Sequence, residues 1–222
     1  MDLMKILRSF EEFIFEAISW LVFYPVTLWR VVRGPLAAMD YSDREQTDGE
    51  EGRYDDTLSP PLFLLATILL ANLITALLHV PPPPQASPLT HAIFGSQQNL
   101  LLFRSLCFSL LPLVAAVTLL RHQKRRLSRE TLRPPFYAQC YLAGVCAAVM
   151  CIGLTIFSRP DVPNGLGAAV MAAGGVWFLT AQSRWFARRL NLPLYKGFGI
   201  AVGATLRATV YLFAIIVPIV AL

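Results

Sequence analysis

PLFLLATILLANLITALLHV, residues 61–80, runs for 20 positions without one Asp, Glu, Lys or Arg. A helix that crosses the hydrocarbon core of a bilayer needs about 20 mainly apolar residues, because a rise of about 1.5 Å per residue must cover roughly 30 Å. This stretch meets that requirement without help from its flanks. Four others follow: residues 100–120, interrupted by Arg104 and Pro112, then residues 137–157, 164–184 and 197–222. Five crossings take up about half of a chain of 222 residues.

Composition agrees. Hydrophobic residues make up 55% of the chain and charged ones 15%, and the mean hydropathy is +0.54. A soluble domain carries about a quarter charged residues, so a water-soluble globular protein is excluded. The expectation is an all-α polytopic membrane protein, with residues 61–222 forming a five-span bundle.

Charge orients the spans. Residues 1–60 hold 12 of the 14 acidic residues, whereas the chain beyond them holds 13 Lys and Arg against Glu130 and Asp161 alone. Six of those cations lie in residues 121–136, and Arg184, Arg188, Arg189 and Lys196 cluster after the fourth span. Residues 81–99 carry no charge at all. Basic loops stay in the cytoplasm, which predicts a cytoplasmic N-terminus, an external C-terminus and a bacterial inner-membrane location. Lys124, Arg125, Arg126, Arg188 and Arg189, with Arg30 and Arg33 before the first span, are candidates for contact with anionic headgroups. The same placement accounts for the net charge of +5. No nucleic-acid recognition motif accompanies it, so nucleic acid is not an expected partner.

The N-terminal 36 residues read differently. Phe10, Phe13, Ile14, Ala17, Ile18 and Leu21 recur at helical spacing, opposite Arg8, Glu12, Glu16 and Ser19. That pattern predicts an amphipathic helix lying in the membrane interface. A sixth crossing through residues 13–32 is the alternative. Residues 37–60 include eight acids within positions 40–57 and few apolar groups, which predicts a solvated cytoplasmic linker. The prolines of residues 81–88 predict a stiff extended spacer between the first two spans.

Candidate chemistry is sparse. The spans contain no Asp or Glu, and the three histidines, His79, His91 and His122, sit at a span end and in loops. Paired intramembrane histidines for a haem are therefore missing, and so are the common hydrolase and nucleotide-binding motifs. Cys107, Cys140, Cys146 and Cys151 lie in apolar runs without C-x-x-C spacing and read as small apolar residues. The expectation is a chain without catalytic residues, metal or cofactor. Arg104 and Arg207 stand out, since an arginine at mid-membrane costs roughly 2.5–3.5 kcal/mol on insertion scales and needs a partner or a route to the interface. With Asn72 and Gln139 they are the candidate lipid-binding or polar-network residues. Gly144 and Ala148, and Gly199 with Gly203 as G-x-x-x-G, are candidate helix-packing positions, within one bundle or between copies.

The acidic segment leads into DDTLSPPLFLLATILLA (residues 55–71), and RETLRPPFYAQCY (residues 129–141) leads into the third span. With five spans and a short external tail, these blocks resemble the Yip (Ypt-interacting protein) family, in particular its bacterial permease-like members. The likeness extends over residues 55–222. It implies a non-enzymatic multispan protein that works through membrane partners, with no catalytic residues to carry over. The expected function is that of a membrane scaffold or organising subunit, in contact with lipid and with a second copy or another membrane protein. A transporter of small solutes or lipid, and a membrane effector subunit of a multi-protein system, are the alternatives.

Overall fold

Apolar runs bounded by Ser, Pro and Asn become helices whose ends are set by local chemistry. The computed structural model describes residues 3–47, 54–78, 90–91, 93, 95–159 and 161–221. The chain forms α1 (Leu3–Arg33), α2 (Pro35–Thr47), α3 (Pro60–Leu77), α4 (Gln97–His122), α5 (Arg129–Phe157), α6 (Asn164–Leu190) and α7 (Leu194–Ala221), with no strand among the described residues. The five helices α3 to α7 are long and apolar enough to cross a membrane. The proline-rich spacer expected over residues 81–88 lies outside the described residues.

Helices α4 to α7 all run past the apolar stretches read from sequence. Helix α5 begins eight residues before the apolar run, because Ser128 and Thr131 cap it reciprocally: the Ser128 Oγ accepts from the Thr131 N–H at 3.2 Å, and the Thr131 Oγ1 accepts from the Ser128 N–H at 3.0 Å. Helix α6 continues to Leu190, burying Trp185 and Phe186 in its extra turns. It stops where Asn191 turns left-handed at φ 50°, with the Leu192 N–H closing on the Ala187 carbonyl at 2.9 Å. Helix α7 begins three residues early, at Leu194.

Helix α5 is the hub, packed against α2, α3, α4 and α6, and 13 of its residues are buried. Its small residues let neighbours approach closely. A Cβ on Gly144 would meet the Phe63 ring of α3 at 2.5 Å, and one on Gly153 would meet Met171 of α6 at 2.5 Å. Phe63 in turn stacks edge-on against Tyr141, with ring centroids 5.9 Å apart. One end of the bundle carries α2, the α4–α5 turn and the α6–α7 turn; it is called the α2 end below.

The N-terminal region differs from the expected arrangement in two ways. First, the last turns of α1 belong to the bundle. Arg30 bonds Asp56 at 2.7 Å, the Leu58 N–H donates to the Thr27 Oγ1 at 3.0 Å, and the Tyr24 hydroxyl donates to the Thr67 Oγ1 at 3.2 Å. These contacts step along α3 as far as its second turn, so the C-terminal part of the amphipathic helix leans in beside α3. Second, the expected linker over residues 37–60 is helical through Thr47 and docked on α5 and α6. Met39 and Ser42 are 0% exposed. Two things dock it: Met39 packs into the core, and Asp40 and Asp43, one turn apart, pair with the basic end of α6. Arg188 bonds Asp40 at 3.0 Å, Arg189 reaches Asp40 at 3.4 Å, and Arg189 also pairs with Asp43. The chain then returns onto α2, where the Tyr54 N–H donates to the Glu45 carboxylate at 2.8 Å.

Candidate functional site

Polar side chains in the spans gather into separate nodes. Towards the end of the bundle opposite α2, Arg104 of α4 is only 4% exposed. Its guanidinium donates to the Asn72 Oδ1 at 3.1 Å and, through both terminal nitrogens, to the Thr75 Oγ1 at 3.4 Å. Asn72 and Thr75 are three residues apart and share one face of α3. Arg104 is enclosed against these partners. Its hydrogen-bond partners here are neutral, and no carboxylate pairs with it among the described residues.

A second node lies nearer the α2 end. Arg207 of α7 bonds back to its own helix, Nε to the Gly203 carbonyl at 3.0 Å, and across to the Thr118 Oγ1 of α4 at 3.2 Å. It points into the bundle, towards α4. Two residues away, Thr205 donates to Gln182, which is 1% exposed, at 3.4 Å.

Gln139, also 1% exposed, stands apart. Its Nε2 and the indole Nε1 of Trp185 are buried with no acceptor among the described residues. No hydrogen bond among the described residues joins Gln139 or Arg207 to the Arg104–Asn72 pair. The four candidates therefore line no shared polar path. The cavity between α1, α3 and α5 measures about 450 Å³, and its lining is almost wholly apolar, with Leu70, Ile74, Cys151 and Ile152 on its walls.

The candidate headgroup residues divide sharply. Lys124, Arg125 and Arg126 sit exposed on the α4–α5 turn without an ion pair among the described residues. Arg188, Arg189 and Arg30 pair with the chain's own acids. At the Arg30 node the Tyr41 hydroxyl also donates to Asp56, at 2.8 Å. The hydrogen bond from Arg30 holds the Asp56 carboxyl below the ordinary aspartate value, and burial pushes the Tyr41 and Tyr54 hydroxyls up. Arg33 stacks on Trp29 with its guanidinium carbon 4.4 Å from the ring centroid. Arg184, not singled out from sequence, is exposed one turn below Arg188 and has no ion pair among the described residues.

Of the packing candidates, Gly144 is tightly packed, and Ala148 lines the apolar cavity. Gly199 and Gly203 are not packed: a Cβ at either would meet nothing within 4 Å. The glycine of α7 that does pack is Gly197, whose Cβ would lie 2.5 Å from the Ser183 carbonyl oxygen. Nothing in the spacing distinguishes Gly197 from its neighbours, so its role was not readable. No group of three His, Cys, Asp or Glu suited to a metal occurs among the described residues, and all four cysteines are free thiols.

The two sequence blocks that carry the Yip likeness touch. The Tyr141 hydroxyl of the second donates to the Leu58 carbonyl of the first at 2.9 Å and lies 3.5 Å from the Thr57 hydroxyl. Comparison with protein-family models, curated proteins and solved structures finds no match.

Proposed function

We propose that the protein is a non-catalytic subunit of a bacterial inner membrane that organises membrane partners, with α2 and the basic turns in the cytoplasm and the C-terminus outside. The observation that carries this reading is the separation of Asn72–Arg104, Gln139 and Arg207–Thr118, which no hydrogen bond among the described residues joins, beside a cavity whose lining is apolar. A transporter would join such groups through a hydrated cavity. The exposed face of α7, where Gly199, Gly203, Leu206 and Val210 follow one another at helical spacing, is apolar and lets another helix approach closely. The Yip likeness of residues 55–71 and 129–141 implies action through partners.

Affinity purification of the full chain in mild detergent, followed by mass spectrometry, tests the proposal. The expected result is a second copy or a membrane protein in fixed stoichiometry. A chain that purifies alone overturns it. So does one that renders proteoliposomes permeable to small solutes and loses that permeability in Arg104→Leu.

A further inference from the structure

Where α1 hands over to α2, Gly34 and Pro35 form an elbow beside α6. Between the elbow and α6 lies a cavity of about 450 Å³, lined by Val32, Arg33 and Leu36 on one side and Trp177, Thr180 and Arg184 on the other. Trp177, Thr180 and Arg184 follow one another up a single face of α6, since positions i, i+3 and i+7 coincide on a helix. Arg184 lies six residues inside the end of α6 at Leu190, about 9 Å at helical rise. Trp177 lies about 10 Å deeper. The cavity is thus cationic at the level of the interface and apolar below it.

Its charge is uncompensated. No Asp or Glu lines it. The nearest acids on α2, Asp40 and Asp43, are bonded to Arg188 and Arg189. Arg33 and Arg184 have no ion pair among the described residues; Arg33 has only the Trp29 ring. Two guanidiniums over an apolar floor, at the depth where phosphates give way to acyl chains, complement one class of molecule.

The geometry points to a binding site for an anionic phospholipid of the leaflet that meets α2. Its phosphodiester sits between Arg33 and Arg184, and its chains lie along Val32 and Trp177. A zwitterionic lipid offers the same phosphate with a cation beside it, which two arginines repel. Free phosphate makes no use of the apolar floor. The inference needs only that the bundle sits in a membrane, so it stands or falls separately from the scaffold reading.

The test is lipid retention by the full chain in mild detergent, read by native mass spectrometry after titration with phosphatidylglycerol or phosphatidylcholine. One phosphatidylglycerol is expected to remain under conditions that strip phosphatidylcholine. Arg33→Gln and Arg184→Gln should each weaken its retention roughly fivefold, and the double variant by the product, as for single cations at a membrane surface. Arg159→Gln, beyond the end of α5 opposite α2, should leave retention unchanged. Millimolar glycerol phosphate should not displace the lipid. On unaltered protein, phosphatidylglycerol with brominated chains should quench more fluorescence than the brominated phosphatidylcholine, and Trp177→Phe should remove the difference. Equal retention or equal quenching by the two lipids overturns the proposal, whether or not the double variant folds. A double variant that holds phosphatidylglycerol as well as the unaltered chain, an equal loss in Arg159→Gln, or full displacement by glycerol phosphate also overturns it.

Discussion

Helices α5 and α7 are both rich in small residues, yet they use them in opposite ways. On α5, Gly144 admits the Phe63 ring so closely that a Cβ would stand 2.5 Å from it. On α7, Gly199 and Gly203 have the spacing associated with close helix packing, and a Cβ at either meets nothing within 4 Å. The buried face of α7 is the other one, with Gly197, Ala201, Ala204, Ala208 and Leu212. Spacing identifies a face but not what that face meets. Neighbouring helices decide that, and α5 has neighbours on every side whereas α7 borders the outside of the bundle.

The comparison breaks first at Gly144. Gly144→Leu forces the Phe63 ring off both Tyr141 and Tyr24, whose centroids lie 5.9 Å and 5.4 Å from it. The expected loss is about 3 kcal/mol or more, seen as lost monodisperse protein on size exclusion in detergent. An unchanged thermal midpoint would mean that α5 is not the hub.

Next comes Met39, 0% exposed on α2. Met39→Ala should cost about 2 kcal/mol, at the low end for a buried truncation, and lower the midpoint accordingly. In a solvated linker the same change would cost nothing, so the measurement separates the two descriptions of residues 37–47.

Arg104→Leu is expected to change stability by no more than about 1 kcal/mol. Leaving Asn72 and Thr75 without their donor costs about 1–3 kcal/mol, while removing an enclosed cation returns a similar amount. A folded, stable variant that fails to support the protein's role would mark Arg104 as kept for function. A collapse in stability would make it structural.

The Arg30–Asp56 contact is smaller still, because the Asp56 side chain is 59% exposed and water screens it to a few tenths of a kcal/mol. Asp56 has its folded pKa depressed below the ordinary value of 3.8. Its contribution is therefore complete above that value and disappears as pH falls through the lower folded pKa. Thermal midpoints in that acidic window should fall slightly more for the unaltered chain than for Asp56→Asn. Last, Gly203→Ala should leave the isolated chain's midpoint unchanged, and a measurable loss would place a helix against that face.

The five spans were legible because a bilayer demands uninterrupted apolar length, a one-dimensional property. Arg104, Asn72 and Arg207 could be picked out for the same reason: a polar group in such a run is visible without knowing its neighbours. Their partners Thr75 and Thr118 were not, because a threonine hydroxyl ordinarily bonds its own helix, as Thr75 also does to the Ala71 carbonyl at 2.7 Å. The acidic segment was misread for a related reason. Asp40 and Asp43 look like solvated charges until Arg188 and Arg189 are brought beside them, and nothing local to residues 37–47 announces that meeting. Arg184 was counted in the basic cluster but could not be set apart from Arg188, because the two differ only in what surrounds them.

The bond between Asp40 and Arg188 spans 148 residues of chain. At synthesis rates of roughly 5–20 residues per second, the ribosome needs on the order of ten seconds or more to make the distance from one partner to the other. During that interval α2 has been translated but the end of α6 against which it rests has not. Its acids must wait in water, or on whatever attends the growing chain, until the fourth span has been inserted. This clasp is thus made well before the partner it needs and closes late. A chain halted before Arg188 would leave it open.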